Sequence, residues 1–193
     1  MGEFKIEKNK GKIIFIGPFE LYVSCPIEGF LEKFTEILKS SPELSIENNF
    51  LLVKSIKVHP APSLSSPVFI KMLSPVTVYS PFLASSVKKK THYYSPFEKE
   101  FSQLIQKNLL KKQIVLNGTK LTPEEFEISP VKVDKKSEKI IKYTPKRGPA
   151  TIIKAWMGLY KIKANPKFIS LAYDVGLGAK TPQGFGMFEI INE

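Results

Sequence analysis

Nine residues near the first third of the chain constrain its fold most. From His59 to Pro67 the sequence carries three prolines and three serines and neither lysine nor acidic residue. Proline fixes φ and removes a backbone donor, so such a run continues neither a helix nor a central strand. Patterned segments lie on both sides of it. The chain therefore reads as two units, residues 1–62 and 63–193, joined by a linker. Its 193 residues suffice for one ordinary domain or two small ones.

Each side opens with strand pattern and continues into a proline-led helix. Ile13–Ile16 is an apolar run, and Phe19, Leu21 and Val23 alternate with Glu20 and Tyr22 at the period of a strand. Gly17-Pro18 reads as the turn between them. Pro26 suits the first position of a helix and Glu28 its first turn, where the dipole favours a carboxylate. Ile27, Phe30, Leu31, Phe34, Ile37 and Leu38 draw one apolar stripe along it, ended by Ser40-Ser41-Pro42. Residues 44–58 read as one or two strands with a hairpin turn at Asn48-Asn49.

Beyond the linker, residues 68–73 and 76–79 read as strand, and Lys88–His92 as an exposed basic loop. Ser95-Pro96-Phe97-Glu98 carries the cap, N1 and N3 residues of a second helix, with a stripe of Phe97, Phe101, Leu104, Ile105 and Leu109. Strands are expected at 126–133 and 139–143, and one long strand at 151–162. A short helix runs from Asn165-Pro166 to Gly176, before a closing strand at 187–191. Strand, helix, two strands, helix, strand is the order of a ferredoxin-like unit. The first unit shows only strand, strand, helix, strand, as if it began partway through the same plan. The fold class expected is α+β: tandem ferredoxin-like (RRM-like) units, the first incomplete at its N-terminus.

Charge narrows the function. The formal net charge is +11, and the one arginine, Arg147, stands among lysines. Between Ile128 and Lys167 eleven basic residues face two acidic ones, so most of the excess lies in about a fifth of the chain. Such a field concentrates polyanions. The plainer reading is a solvated lysine-rich surface. Lysine is a point charge without the guanidinium fork, so these bases favour phosphate over base edges. The single Cys25 excludes an intrachain disulfide framework and a cysteine-rich metal site. No apolar run reaches the ~18 residues of a spanning helix, and the first residues lack the apolar core of a signal peptide. A cytoplasmic protein is expected.

The densest motif is Gly176-Leu177-Gly178-Ala179-Lys180-Thr181-Pro182-Gln183-Gly184-Phe185-Gly186. Four glycines in eleven residues join a helix end to the last strand. Exposed amides with Lys180 make a phosphate cradle. The same spacing equally describes a helix C-cap and a glycine turn without ligand. It is no dinucleotide fingerprint, because it precedes a strand instead of opening a helix. In full, residues 175–187 resemble the C-terminal glycine-rich loop of the RAMP proteins of CRISPR systems. They are most similar to CRISPR-associated protein family six, endoribonucleases that cut precursor CRISPR RNA within its repeats. Ser24-Cys25-Pro26-Ile27, Leu73-Ser74-Pro75-Val76, Phe97–Phe101 and Lys107-Asn108-Leu109 resemble further segments of that family, in the same order.

The resemblance implies two tandem ferredoxin-like units and metal-independent cleavage. The RNA's 2′-OH attacks the adjacent phosphate, leaving a 2′,3′-cyclic phosphate and a 5′-OH. That step needs a base, an acid and cations on the phosphorane. The family's opening βα unit and its early histidine have no counterpart here, so no catalytic residue is carried over. His59 reads as a surface residue, and His92 stands with Lys88–Lys90, Tyr93 and Tyr94 at a position that does not match the family's.

RNA contact is expected from Lys146, Arg147, Lys154, Lys180 and Gln183, with Gly176, Gly178, Gly184 and Gly186 shaping the loop. Trp156 and Phe185 read as packing. No metal or cofactor is expected. The partners expected are CRISPR repeat RNA, other subunits of a CRISPR complex, and a second copy of the chain. Alternative readings are an RNA-binding member that does not cut and an interaction module without RNA.

Overall fold

The structure is a computed structural model that describes residues 3–7, 12–84, 88–118, 125–143 and 150–191. Beyond the linker, strand β5 (Val68–Met72) buries Val68, Ile70 and Met72 on one face and turns Phe69 and Lys71 to the other. The alternation is that of a strand with one side in the core. A two-stranded ribbon follows, β6 (Tyr79–Ala84) with β7 (Lys88–Tyr93). Then come α2 (Lys99–Asn117), β8 (Phe126–Lys132), a second ribbon of β9 (Glu138–Tyr143) and β10 (Thr151–Trp156), β11 (Leu159–Ala164), α3 (Pro166–Val175) and β12 (Phe188–Ile191). The sheet runs β12-β5-β11-β8 with every neighbour antiparallel. Removing the two ribbons leaves βαββαβ with its first and third strands central, the ferredoxin-like plan.

Helices α2 and α3 close one face of this sheet. Phe101, Ile105 and Leu109 of α2 and Phe168, Ile169 and Ala172 of α3 meet Ile70, Tyr160 and Ile162, all buried. The i, i+4 spacing lays each helix's stripe over the sheet. Trp156 is buried against Phe101, as the packing reading requires. On the open face Lys71 pairs with Glu189 at 2.8 Å and Lys163 with Glu125 at 3.5 Å.

Several local expectations change. The long strand at 151–162 is two strands broken at Gly158, whose φ is 133°. A Cβ there would stand 2.6 Å from the Lys132 carbonyl oxygen, so only glycine lets β11 close on β8. Lys88–His92 is strand instead of loop, pairing with β6. Helix α2 begins at Lys99, later than the cap motif implies. The reciprocal cap bonds form, Ser95 N–H to Glu98 at 2.6 Å and Phe97 N–H to the Ser95 hydroxyl at 3.3 Å, but they hold a turn just ahead of the helix. Phe97 is left exposed.

Before the linker, β1 (Glu3–Glu7) pairs with β2 (Lys12–Ile16), and β3 (Glu43–Ile46) with β4 (Asn49–Leu52). The latter hairpin turns at Glu47-Asn48, one residue earlier than expected, with Glu47 at φ 54°. Residues 53–58, expected to continue as strand, carry no regular structure. Helix α1 (Phe30–Ser40) starts four residues later than expected, because residues 26–29 form a turn that Phe30 N–H closes onto the Ile27 carbonyl at 3.2 Å. Residues 19–23 are not a strand; among the described residues no partner strand pairs with them. Of the expected stripe, only Leu38 is buried, while Ile37 on α1 and Ile27 ahead of it are each 61% exposed. Among the described residues no helix is long and apolar enough to cross a membrane.

Candidate nucleic-acid interface

The glycine-rich segment is a loop with buried arms and an open tip. α3 ends where Gly176 N–H reaches the Ala172 carbonyl at 2.9 Å. The loop is then stitched to residues 73–77, which include Leu73-Ser74-Pro75-Val76, one of the further segments that carried the resemblance. Ala179 N–H donates to Thr77 O at 2.8 Å, Gly186 N–H to Pro75 O at 3.0 Å and Met187 N–H to the Ser74 hydroxyl at 2.9 Å. Leu177, fully buried, donates across the loop to Gly186 O at 2.9 Å. Gly178 has φ 73°, and a Cβ on it would lie 2.5 Å from the Thr77 carbonyl oxygen. Gly176, Gly178 and Gly186 are therefore buried positions that shape the backbone.

Most loop amides are engaged inside the protein, which sides with the C-cap and glycine-turn alternative over an open amide cradle. The tip carries side chains instead. Lys180 and Thr181 are partly exposed, and Pro182, Gln183 and Gly184 are exposed, over a 3-10 turn at Thr181–Gln183. Lys180 itself has φ 61°, a left-handed conformation rare outside glycine. Its Nζ lies 5.6 Å from the centroid of the Tyr79 ring. Tyr79, 37% exposed, faces Tyr93 across the β6–β7 ribbon with ring centroids 5.5 Å apart. Cation and ring together offer a phosphate contact beside a stacking surface.

The second ribbon stands next to the loop. Thr77, fully buried, donates its hydroxyl to Lys154 O at 2.7 Å, and Val76 bridges Trp156. Phe185 packs on Ile153 and Ala155, with Tyr93 and Ile141 around them, so it is a packing residue. Alternation turns Lys154 to the opposite face of the ribbon, where its Nζ meets Glu138 at 3.1 Å. Lys154 and Lys180 therefore do not converge on one face. Lys146 and Arg147 lie outside the described residues.

Neither histidine joins the loop tip. His59 is exposed, its ring 6.0 Å from that of Tyr22. His92 sits on the ribbon face opposite Tyr93 and pairs through Nε2 with Glu98 at 3.0 Å, while the Tyr94 ring meets it edge-on at 4.4 Å. Burial works against the Glu98 charge, but the Ser95 amide and His92 hold its carboxyl below the usual value. Among the described residues no cluster of His, Cys, Asp and Glu is placed to hold a metal ion.

Two residues at the site have no advance signal in the sequence. Tyr79 reads there only as the end of a strand. Lys112, late on α2, reads as one helix lysine among several, yet its Nζ donates to the carbonyls of Val175 at 3.1 Å, Gly176 at 2.9 Å and Gly178 at 3.2 Å. Burial pulls its ammonium down to about 8.

Comparison with known proteins bears on the whole arrangement. Residues 59–190 match the family model for the C-terminal part of the CRISPR-associated protein Cas6. The chain is 29% identical over 192 residues to the CRISPR-associated endoribonuclease Cas6 of Pyrococcus furiosus, covering 96% of this chain and 66% of that protein. It superimposes on the structure of a Cas6-related gene product from Pyrococcus furiosus with a TM-score of 0.76 at 23% identity, covering 100% of this chain and 77% of that one. A RAMP protein described as binding different RNA substrates gives a TM-score of 0.72 at 21% identity, covering 98% and 75%. The two structural likenesses speak for the fold.

Proposed function

The chain belongs to the Cas6 family of CRISPR-associated proteins, and on that premise we propose that it binds the repeat RNA of precursor CRISPR transcripts and cuts it, in antiviral defence. The observation that carries the reading is the open tip of the glycine-rich loop. There Lys180 stands over Tyr79 with Gln183 exposed beside it. The loop's arms are fixed by hydrogen bonds to residues 73–77, so the tip is presented by a rigid base. The division at Pro62 and Ser63 is part of the same reading, with the loop in the second unit.

Cleavage follows the family's chemistry. The 2′-OH loses its proton and its oxygen attacks the adjacent phosphorus. The 5′-oxygen leaves and takes up a proton, giving a 2′,3′-cyclic phosphate and a 5′-OH product. DNA, without the 2′-OH, does not react. Incubating the protein with an RNA of its cognate repeat in EDTA, and resolving products on a denaturing gel, tests this. One cut at a fixed position is expected. No cut, with binding retained, leaves the second reading, an RNA-binding member that holds the repeat intact. That second reading is supported by the partners of the two histidines, Glu98 and Tyr94 for His92 and Tyr22 for His59, none of which belongs to the loop. No retention of the repeat at low salt overturns both.

A further inference from the structure

The RNA-binding reading gives Lys112 no role in the site, yet its surroundings are specific. An ammonium has three protons to donate, and three carbonyl oxygens lie within 3.2 Å of its Nζ. Those carbonyls belong to the last residue of α3 and to the first bend of the glycine-rich loop. Among the described residues no carboxylate pairs with it. Gly176 and Gly178 are buried, so an apolar side chain at this position would leave their carbonyls without partners.

The charge matters beyond the bonds. The C-terminus of a helix carries about half a negative charge. α3 ends directly into the loop, so the negative end of its dipole lies at the loop's first arm. Uncompensated, that end would repel a phosphate. Lys112 places a full positive charge at the same carbonyls and inverts the sign of the field beneath the loop.

We propose that Lys112 is a positioning residue for RNA. Its ammonium ties the glycine-rich loop to α2 and cancels the negative end of α3, so that the tip bearing Lys180 receives phosphate. This rests on the RNA-binding reading above. It assigns Lys112 no contact with RNA.

Two variants test it. Lys112→Met keeps the length and removes the charge; Lys112→Arg keeps charge and donors. Two readouts are needed, amide hydrogen exchange of Leu177, Ala179 and Gly186 in the free protein, and equilibrium binding of a cognate repeat oligonucleotide at fixed salt. Lys112→Met is expected to speed exchange at those three amides and to weaken RNA binding, each by about tenfold. Lys112→Arg is expected to restore both to within about threefold of the parent. If Lys112→Met does not fold, Lys112→Gln, which is uncharged but keeps donors, replaces it with the same expected loss of affinity. Unchanged affinity in the uncharged variant overturns the proposal while leaving RNA binding intact. Loss that a folded Lys112→Arg protein does not recover overturns the role of charge. If the parent protein binds no RNA, the RNA-binding reading fails and the role in RNA positioning fails with it, whereas the exchange data still show whether the ammonium holds the loop.

Discussion

Gly178 has no room for a methyl group, and that makes it the sharpest single-residue test of the loop. Alanine there meets the Thr77 carbonyl oxygen at 2.5 Å and must also hold φ at 73°. Gly184 has a similar φ of 86° but open space around it. Gly184→Ala should therefore cost only the left-handed conformation, about 1–2 kcal/mol. Gly178→Ala adds the clash and should cost more, with the difference read from urea midpoints. Lys112 supplies a test by pH. Its folded value of about 8 lies below its ordinary 10.5. Between these values the unfolded chain keeps the proton and the folded chain releases it, so stability rises with pH across the window. Burial raises Tyr93 and Tyr160, which pull the other way at higher pH. Measured between about pH 8 and 9.5, the parent's urea midpoint should rise relative to that of Lys112→Met.

At the scale of elements, the two amphipathic helices behave differently. Ile105 on α2 is fully buried. Ile105→Ala should lower stability by about 2–5 kcal/mol in thermal or urea unfolding. Ile37 on α1 is 61% exposed, and Ile37→Ser should shift it by no more than about 0.5 kcal/mol. Both stripes look alike in the sequence, because periodicity reports that a face is apolar and not whether something covers it. The βαββαβ frame was legible for a local reason. Asn165-Pro166 and Gly176 punctuate α3, and Val68, Ile70 and Met72 alternate without interruption. The β6–β7 ribbon was not legible, since Pro81 interrupts one strand and Lys88-Lys89-Lys90 shows no alternation on the other. Lys112 was out of reach for another reason. Its acceptors lie 63 to 66 residues away, and no spacing rule connects them. Which amides the loop glycines expose depends on the 73–77 segment docking against them, and no local pattern announces that docking.

For the whole molecule, the excess of positive charge sets how binding responds to salt. Each phosphate neutralised by a lysine adds about 0.9 to the slope of log affinity against log salt on a duplex and about 0.7 on a single strand. Lys180→Ala should weaken binding of repeat RNA and reduce that slope by about one contact's worth, measured by titration at several salt concentrations. Lys154, paired with Glu138 on the other face of its ribbon, should change the slope less.

The hydrogen bonds that shape the loop join residues 113 positions apart, from Ser74 to Met187. The loop can therefore form only after residue 187 has joined the chain. A chain that has not yet acquired residue 187 has the earlier lysines but not the fixed base that mounts the tip.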